Sequence, residues 1–225
     1  MSRNARCIVP GLPYHVTQRG TNRERVFFST AHRKTYLDLL ARNCPDAGVR
    51  VLAYCLMSNH VHLIVVPERG DSLAVLFRRV HGAYAQAVNA GRGRTGHLWQ
   101  NRFYSCPLSE AHLWVALRYV EANPVRAGLA SRAEEYRWSS APVHLGEQRP
   151  ERGSVLDLEF WEASGGVAMW RQLHASAEGD GQVNLLRRCT YAGRPFGDEE
   201  FVQQLETHFQ RRWRRWSFEK AASAA

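Results

Sequence analysis

Apolar and polar positions alternate with period two over residues 14–18, and the run ends in Arg19-Gly20-Thr21-Asn22-Arg23, a loop rich in turn formers and donors. From 30 to 43 the period lengthens. Tyr36, Leu37, Leu39 and Leu40 form one apolar side, which predicts a helix capped by Thr30. Residues 49–57 and 60–66 are two apolar, β-branched runs split by Ser58-Asn59, the signature of an antiparallel hairpin. Leu73, Leu76, Phe77, Val80 and Tyr84 recur at helical spacing within 71–89, 100–107 reads as a strand, and 109–123 reads as a third helix capped by Ser109 and stopped by Pro124.

The predicted order is β-α-β-β-α-β-α. It implies an α+β fold, a ferredoxin-like antiparallel sheet with helices on one face. Beyond Trp138-Ser139-Ser140 the pattern weakens. Residues 145–153 are polar, 156–173 form one helix or two, and 198–215 form a final helix. The expected division is therefore a catalytic domain over 1–145 and a mainly helical extension with a basic end over 146–225.

At 225 residues and 44% hydrophobic the chain can bury an ordinary core, and its longest apolar runs fall far short of the roughly 18 residues that span a bilayer. The arginine-bearing N-terminus lacks the apolar stretch of a secretory signal, so a cytoplasmic protein without a membrane partner is expected. Cys7, Cys44, Cys55, Cys106 and Cys189 are odd in number and never spaced as CxxC, which argues against a disulfide framework or zinc knuckle.

Charge sharpens the picture. The net charge is +9, and because lysine occurs only at Lys34 and Lys220, 28 of the 30 cations are arginine, whose planar fork matches phosphate. Residues 1–130 carry 17 Lys/Arg against 7 Asp/Glu, residues 131–210 carry 8 against 13, and residues 211–225 carry 5 against 1. A polyanion is thus expected to bind the N-terminal part and the extreme C-terminus, leaving 131–210 uninvolved.

Candidate chemistry lies in His60-Val61-His62. On a strand, residues i and i+2 share a face about 7 Å apart, so both imidazoles can reach one ion while Val61 points into the helical layer. Two histidines decorating a sheet edge would read the same way. On the third helix Tyr119 and Asn123 fall about 40° from each other, one turn apart on the flank of the Leu113, Leu117 and Val120 stripe. That pair also fits a boundary tyrosine and an asparagine that merely ends the helix. A two-metal carboxylate nuclease is disfavoured, because the seven acids of residues 1–130 contain no DxD or DxE pair.

Four blocks in order carry a resemblance: 14–23 (YHVTQRGTNR), 54–63 (YCLMSNHVHL), 96–104 (GHLWQNRFY) and 118–128 (RYVEANPVRAG). Together they resemble the REP-associated tyrosine transposases, single-tyrosine HUH transposases of the IS200-like group, over residues 13 to about 140. The run 190–197 (TYAGRPFG) is similar to the family's tail but less diagnostic.

The resemblance implies that His60, His62 and Asn123 ligate Mg²⁺ or Mn²⁺ and that Tyr119 is the nucleophile. It implies cleavage and rejoining of single-stranded DNA at palindromic hairpin repeats through a 5′-phosphotyrosine link, by a protein acting as a monomer. A domesticated protein that binds hairpins without cutting them is the alternative. Expected DNA contacts are Arg19, Asn22, Arg23, Arg78, Arg79, Arg102, Arg211, Arg212, Arg214 and Arg215, with Trp99 and Phe103 better suited to core packing than to base stacking. Tyr104 is the rival nucleophile.

Overall fold

A computed structural model describes residues 8–151, 153–176 and 179–213. Four strands, β1 (Tyr14–Arg19), β2 (Val49–Leu56), β3 (His60–Pro67) and β4 (Tyr104–Pro107), form one antiparallel sheet in the order β2-β3-β1-β4. The β-branched residues of β3 suit its place between two neighbours. Helices α1 (Thr30–Ala47) and α2 (Ser72–Gly91) pack on the face presented by Val61, Leu63 and Val65. The ferredoxin-like topology read from the sequence is the one observed.

Differences lie at element ends and on the second face. Ser29 rather than Thr30 caps α1, its hydroxyl accepting from His32 N at 3.3 Å, and the helix continues through Pro45 to a left-handed turn at Gly48, φ 60°. Only Tyr104–Pro107 of the expected fourth strand is regular. The third helix, α3 (Glu110–Glu121), gives way to a short turn of helix, α4 (Asn123–Arg126), where Pro124 removes a donor.

Helices on one face holds for the α1–α2 pair and stops there. The opposite face, lined by Leu52, Cys55, Ile64 and Cys106, is covered by α3 and by the C-terminal helices. These comprise α5 (Ala141–His144), α6 (Leu158–Ala163), α7 (Gly166–Ala175) and α8 (Asp180–Ala192), and α9 (Glu199–His208) follows them. The final helix ends at His208, short of the expected 215. Trp170 of α7 and Leu186 of α8 are fully buried in the same core as Leu117 and Val120 of α3. Arg50 of β2 meets Asp157 at 2.7 Å, and Asp157 N donates to Val51 O at 2.8 Å.

Glu121 anchors this second layer. Its buried carboxylate accepts from Ser140 Oγ at 2.5 Å, His144 Nδ1 at 2.5 Å and His174 Nε2 at 2.9 Å. Burial alone would raise its pKa, but the two histidines outweigh that and hold it at about 2.

Because residues beyond 146 share a core with the sheet, a chain ending at 145 is expected to expose that core and aggregate, observable as loss of a monomeric size-exclusion peak. A monodisperse, cooperatively folded 1–145 would contradict this. Glu121→Gln should cost about 1–3 kcal/mol in urea unfolding, because the amide accepts at only one of the two oxygens that Ser140, His144 and His174 share.

Candidate active site

The site is built on the face of the sheet that α1 and α2 leave free. In the β1–β3 register Thr17 opposes His62 and Arg19 opposes His60, so His15, Thr17, Arg19, His60 and His62 point to one side by strand alternation. Val61 lies in the α1–α2 core at 0% exposure, as its intermediate position requires. The His60 and His62 rings meet edge to face with centroids 4.9 Å apart.

Tyr119 descends from α3 onto this face. Its ring stands edge-on to His62 at 5.4 Å and to His15 at 5.6 Å between centroids, and it is buried at 3% exposure. Asn123 Nδ2 donates to the Tyr119 carbonyl at 3.0 Å, one turn back, which leaves Oδ1 as the acceptor end of the amide. The helical spacing thus brings Tyr119 to the histidine pair and keeps Asn123 one turn away against its carbonyl, although α3 itself ends between them.

Each imidazole is held at Nδ1. His60 Nδ1 lies 2.6 Å from Asn59 Oδ1, a pure acceptor, so His60 carries its proton there and keeps its lone pair on Nε2. Asn59 Nδ2 in turn donates to Arg23 O at 2.9 Å, fixing the loop in which Asn22 and Arg23 adopt φ of 52° and 61°. A Cβ at Gly20 would collide with Glu24 O, so glycine is needed where that loop leaves β1.

Burial dominates the electrostatics. Desolvation, with help from Arg19, lowers His60 to about 4; desolvation lowers His15 to about 3 and pushes His62 well below the usual imidazole range, with His60, His15 and two arginines adding to it. All three are neutral ligand-type imidazoles at neutral pH. Among the described residues no three His, Cys, Asp or Glu side chains converge as a metal cage. The donor types present, the His60 and His62 imidazoles and the Asn123 amide one turn from Tyr119, fit a divalent cation that retains open positions.

Two arginines missed in the sequence complete the surroundings. Arg126 places its guanidinium 4.4 Å above the Tyr119 ring centroid and also donates to the Tyr119 carbonyl. Arg187 of α8 donates from Nε to the Tyr119 hydroxyl at 3.3 Å. Arg187 belongs to the acidic 131–210 segment that charge counting set aside, and it reaches the phenol all the same: the net charge averages over the segment, whereas α8 itself carries two arginines, one of which meets Tyr119. No periodicity signals Arg187, and Arg126 was visible only within the 118–128 block.

The expected DNA contacts divide. Arg19 is half-buried opposite His60, with its Nε unpaired. Asn22, Arg23 and Arg102 are exposed at the same end of the sheet, where Gln100 N bonds Arg19 O at 2.9 Å. Arg78 and Arg79 are exposed on α2, behind the opposite face of the sheet, and Arg79 pairs with Asp46 at 3.7 Å, so they are not brought to the site. Arg211 stacks on Trp213, Arg212 is exposed, and Arg214 and Arg215 lie outside the described residues. Trp99 and Phe103 are core residues at 8% and 7% exposure. Tyr104 shares the site face but opposes Thr17 on β4, which puts it two strands, about 9–10 Å, from His62.

The sheet thus carries paired histidines beneath a tyrosine-bearing helix, in an α+β arrangement. The family model for IS200-like transposases matches residues 8–123, about half of the chain, and the chain belongs to that family. Among solved structures it is similar to a REP-associated tyrosine transposase bound to a REP hairpin, at 19% identity over 70% of this chain and 94% of that one, with a TM-score of 0.56, a likeness of fold. A putative transposase from Deinococcus radiodurans R1 is matched at 20% identity over 50% of this chain and 89% of that one, with a TM-score of 0.38. Comparison with curated proteins found no match. No helix among the described residues is long and apolar enough to cross a membrane.

His15 and His60 have folded values near 3 and 4, below the unfolded value near 6.5, so the unfolded chain binds more protons between those limits. Stability contributed by these groups is therefore full above pH 6.5 and falls as pH drops, by up to about 1.4 kcal/mol per pH unit for each. Urea midpoints taken from pH 7 to pH 4 should decline monotonically. A flat profile would show that the imidazoles are not buried neutral.

Proposed function

We propose that this transposase is a metal-dependent single-stranded DNA endonuclease and strand transferase acting at palindromic hairpin repeats. The observation that carries the reading is Tyr119, packed edge-on to His62 and hydrogen-bonded through its hydroxyl to Arg187. His60, His62 and the Asn123 amide oxygen would hold Mg²⁺ or Mn²⁺, which would supply Lewis-acid polarisation of a bound phosphate.

Tyr119 Oη attacks phosphorus, and the bond to the 3′ oxygen breaks. A 5′-phosphotyrosine and a free 3′-hydroxyl result, the phenolic proton passing by way of solvent to the departing 3′ oxygen. Arg187 stabilises the developing phenolate, and Arg126 above the ring adds positive potential. The ester keeps the bond energy, so a second 3′-hydroxyl can displace the tyrosine without a nucleotide cofactor. Arg19, Asn22, Arg23 and Arg102, clustered at one end of the sheet, contact the backbone of the single strand. The hairpin substrate is inferred from the four motif blocks and from the fold shared with a transposase bound to such a hairpin. Tyrosine and histidines come from one chain, which favours action as a monomer, and a substrate of chromosomal repeats would place that action in the cytoplasm.

With a hairpin oligonucleotide flanked by single strands and Mn²⁺, the wild-type protein should form a covalent adduct visible as a gel shift under denaturing conditions. Tyr119→Phe should abolish it, and an adduct that survives assigns the nucleophile elsewhere, Tyr104 first. Arg187→Ala should slow adduct formation about 10–100-fold, the effect of one hydrogen bond to a charged group. Hairpin binding without adduct in wild type would identify a non-cleaving protein. Neutralising Arg102 should weaken binding and reduce its salt slope by about one.

A further inference from the structure

His62 is joined to the C-terminal extension by a buried polar chain that the proposed chemistry does not use. Thr190 of α8 donates its one hydroxyl proton to Leu186 O at 2.8 Å. Its oxygen therefore accepts from His15 Nδ1, 2.7 Å away, and from the Cys106 thiol at 3.2 Å. His15 lies at 1% exposure, with no carboxylate among the described residues bonded to it to support a charged ring. With its proton committed to Nδ1, His15 Nε2 is an acceptor. The atom facing it at 2.9 Å is His62 Nδ1, which must be the donor. Each step leaves one choice, and the chain ends with His62 protonated on Nδ1 and its lone pair on Nε2.

We propose that Thr190 and His15 are positioning residues that lock His62 in the Nδ1–H tautomer, so that α8 sets the ligand character of a histidine on β3. The near-coplanar arrangement of the two bonded rings, with planes 10° apart, also fixes the orientation of His62. His60 reaches the same tautomer independently, through Asn59, so the two imidazoles are set by opposite ends of the molecule. The functional consequence rests on the proposed metal role of His62, but the tautomer itself does not.

Long-range ¹H–¹⁵N NMR of the imidazole nitrogens in metal-free full-length protein tests the lock directly. In wild type, both His15 and His62 are expected as Nδ1–H, Nε2-lone-pair rings. Thr190→Val, which keeps the shape and removes the hydroxyl, should leave His62 distributed between tautomers, whereas Thr190→Ser should retain the wild-type pattern. Titration with Mn²⁺, followed by relaxation of the His60 and His62 signals, should show binding weakened about 10–100-fold in Thr190→Val and unchanged in Thr190→Ser. A wild-type His62 protonated on Nε2, or a Thr190→Val protein with wild-type tautomers, overturns the proposal. A locked wild type that fails to bind Mn²⁺ upholds the lock and rejects the metal reading of His60 and His62 instead.

Discussion

Everything in this molecule follows from the period-two alternation of β3. A strand buried on both sides must present two different chemistries on its two faces, and β3 does so residue by residue: Val61, Leu63 and Val65 enter the α1–α2 core, while His60 and His62 look the other way. A slip of one residue in register would put both imidazoles into an apolar layer with no partner, at several kcal/mol each. The close apolar fit of Val61 against α1 and α2 is thus what holds the histidines to their side. Pairing with β1 then adds His15 and Arg19 to the same face at no further cost in topology.

Much of this was legible in the sequence because it is periodic. The hairpin at Ser58-Asn59, the HxH spacing and the Tyr119–Asn123 offset are short-range patterns, and strand and helix geometry turns each into a direction. What could not be read were contacts set by the packing of distant segments. Arg187 and Thr190 reach Tyr119 and His15 from α8, separated from them by 68 and 175 residues, in a segment whose weak pattern and acidic average suggested a bystander. Arg78 and Arg79 failed in the opposite sense: their charge was evident, but helical phase places them behind the sheet. Charge read along a chain locates a field only after the fold decides which face it occupies.

Buried polar groups carry a strict requirement for partners, and the face opposite α1 and α2 meets it with chains rather than isolated pairs. His60 is satisfied by Asn59, and Asn59 by Arg23; His62 by His15, and His15 by Thr190. In a low dielectric each missing link would cost more than a neutral hydrogen bond contributes, so the chains define ring orientation more strongly than they add stability. This is why the extension is integral to the molecule: without α8 the far end of one chain has no partner.

The same logic explains how an acid can sit on the tyrosine helix without spoiling a phosphate site. Glu121 lies two residues from both Tyr119 and Asn123, and two residues of α-helix turn through about 200°, so its carboxylate is directed away from the histidines. There His144, His174 and Ser140 hold it, within the second layer. The face toward the sheet is left with Arg19, Arg126 and Arg187 and, among the described residues, no carboxylate hydrogen-bonded to the Tyr119 phenol or to any of the three histidines. One helix therefore separates opposite charges by its pitch alone: its anion ties down the extension, and the extension returns a cation to the phenol.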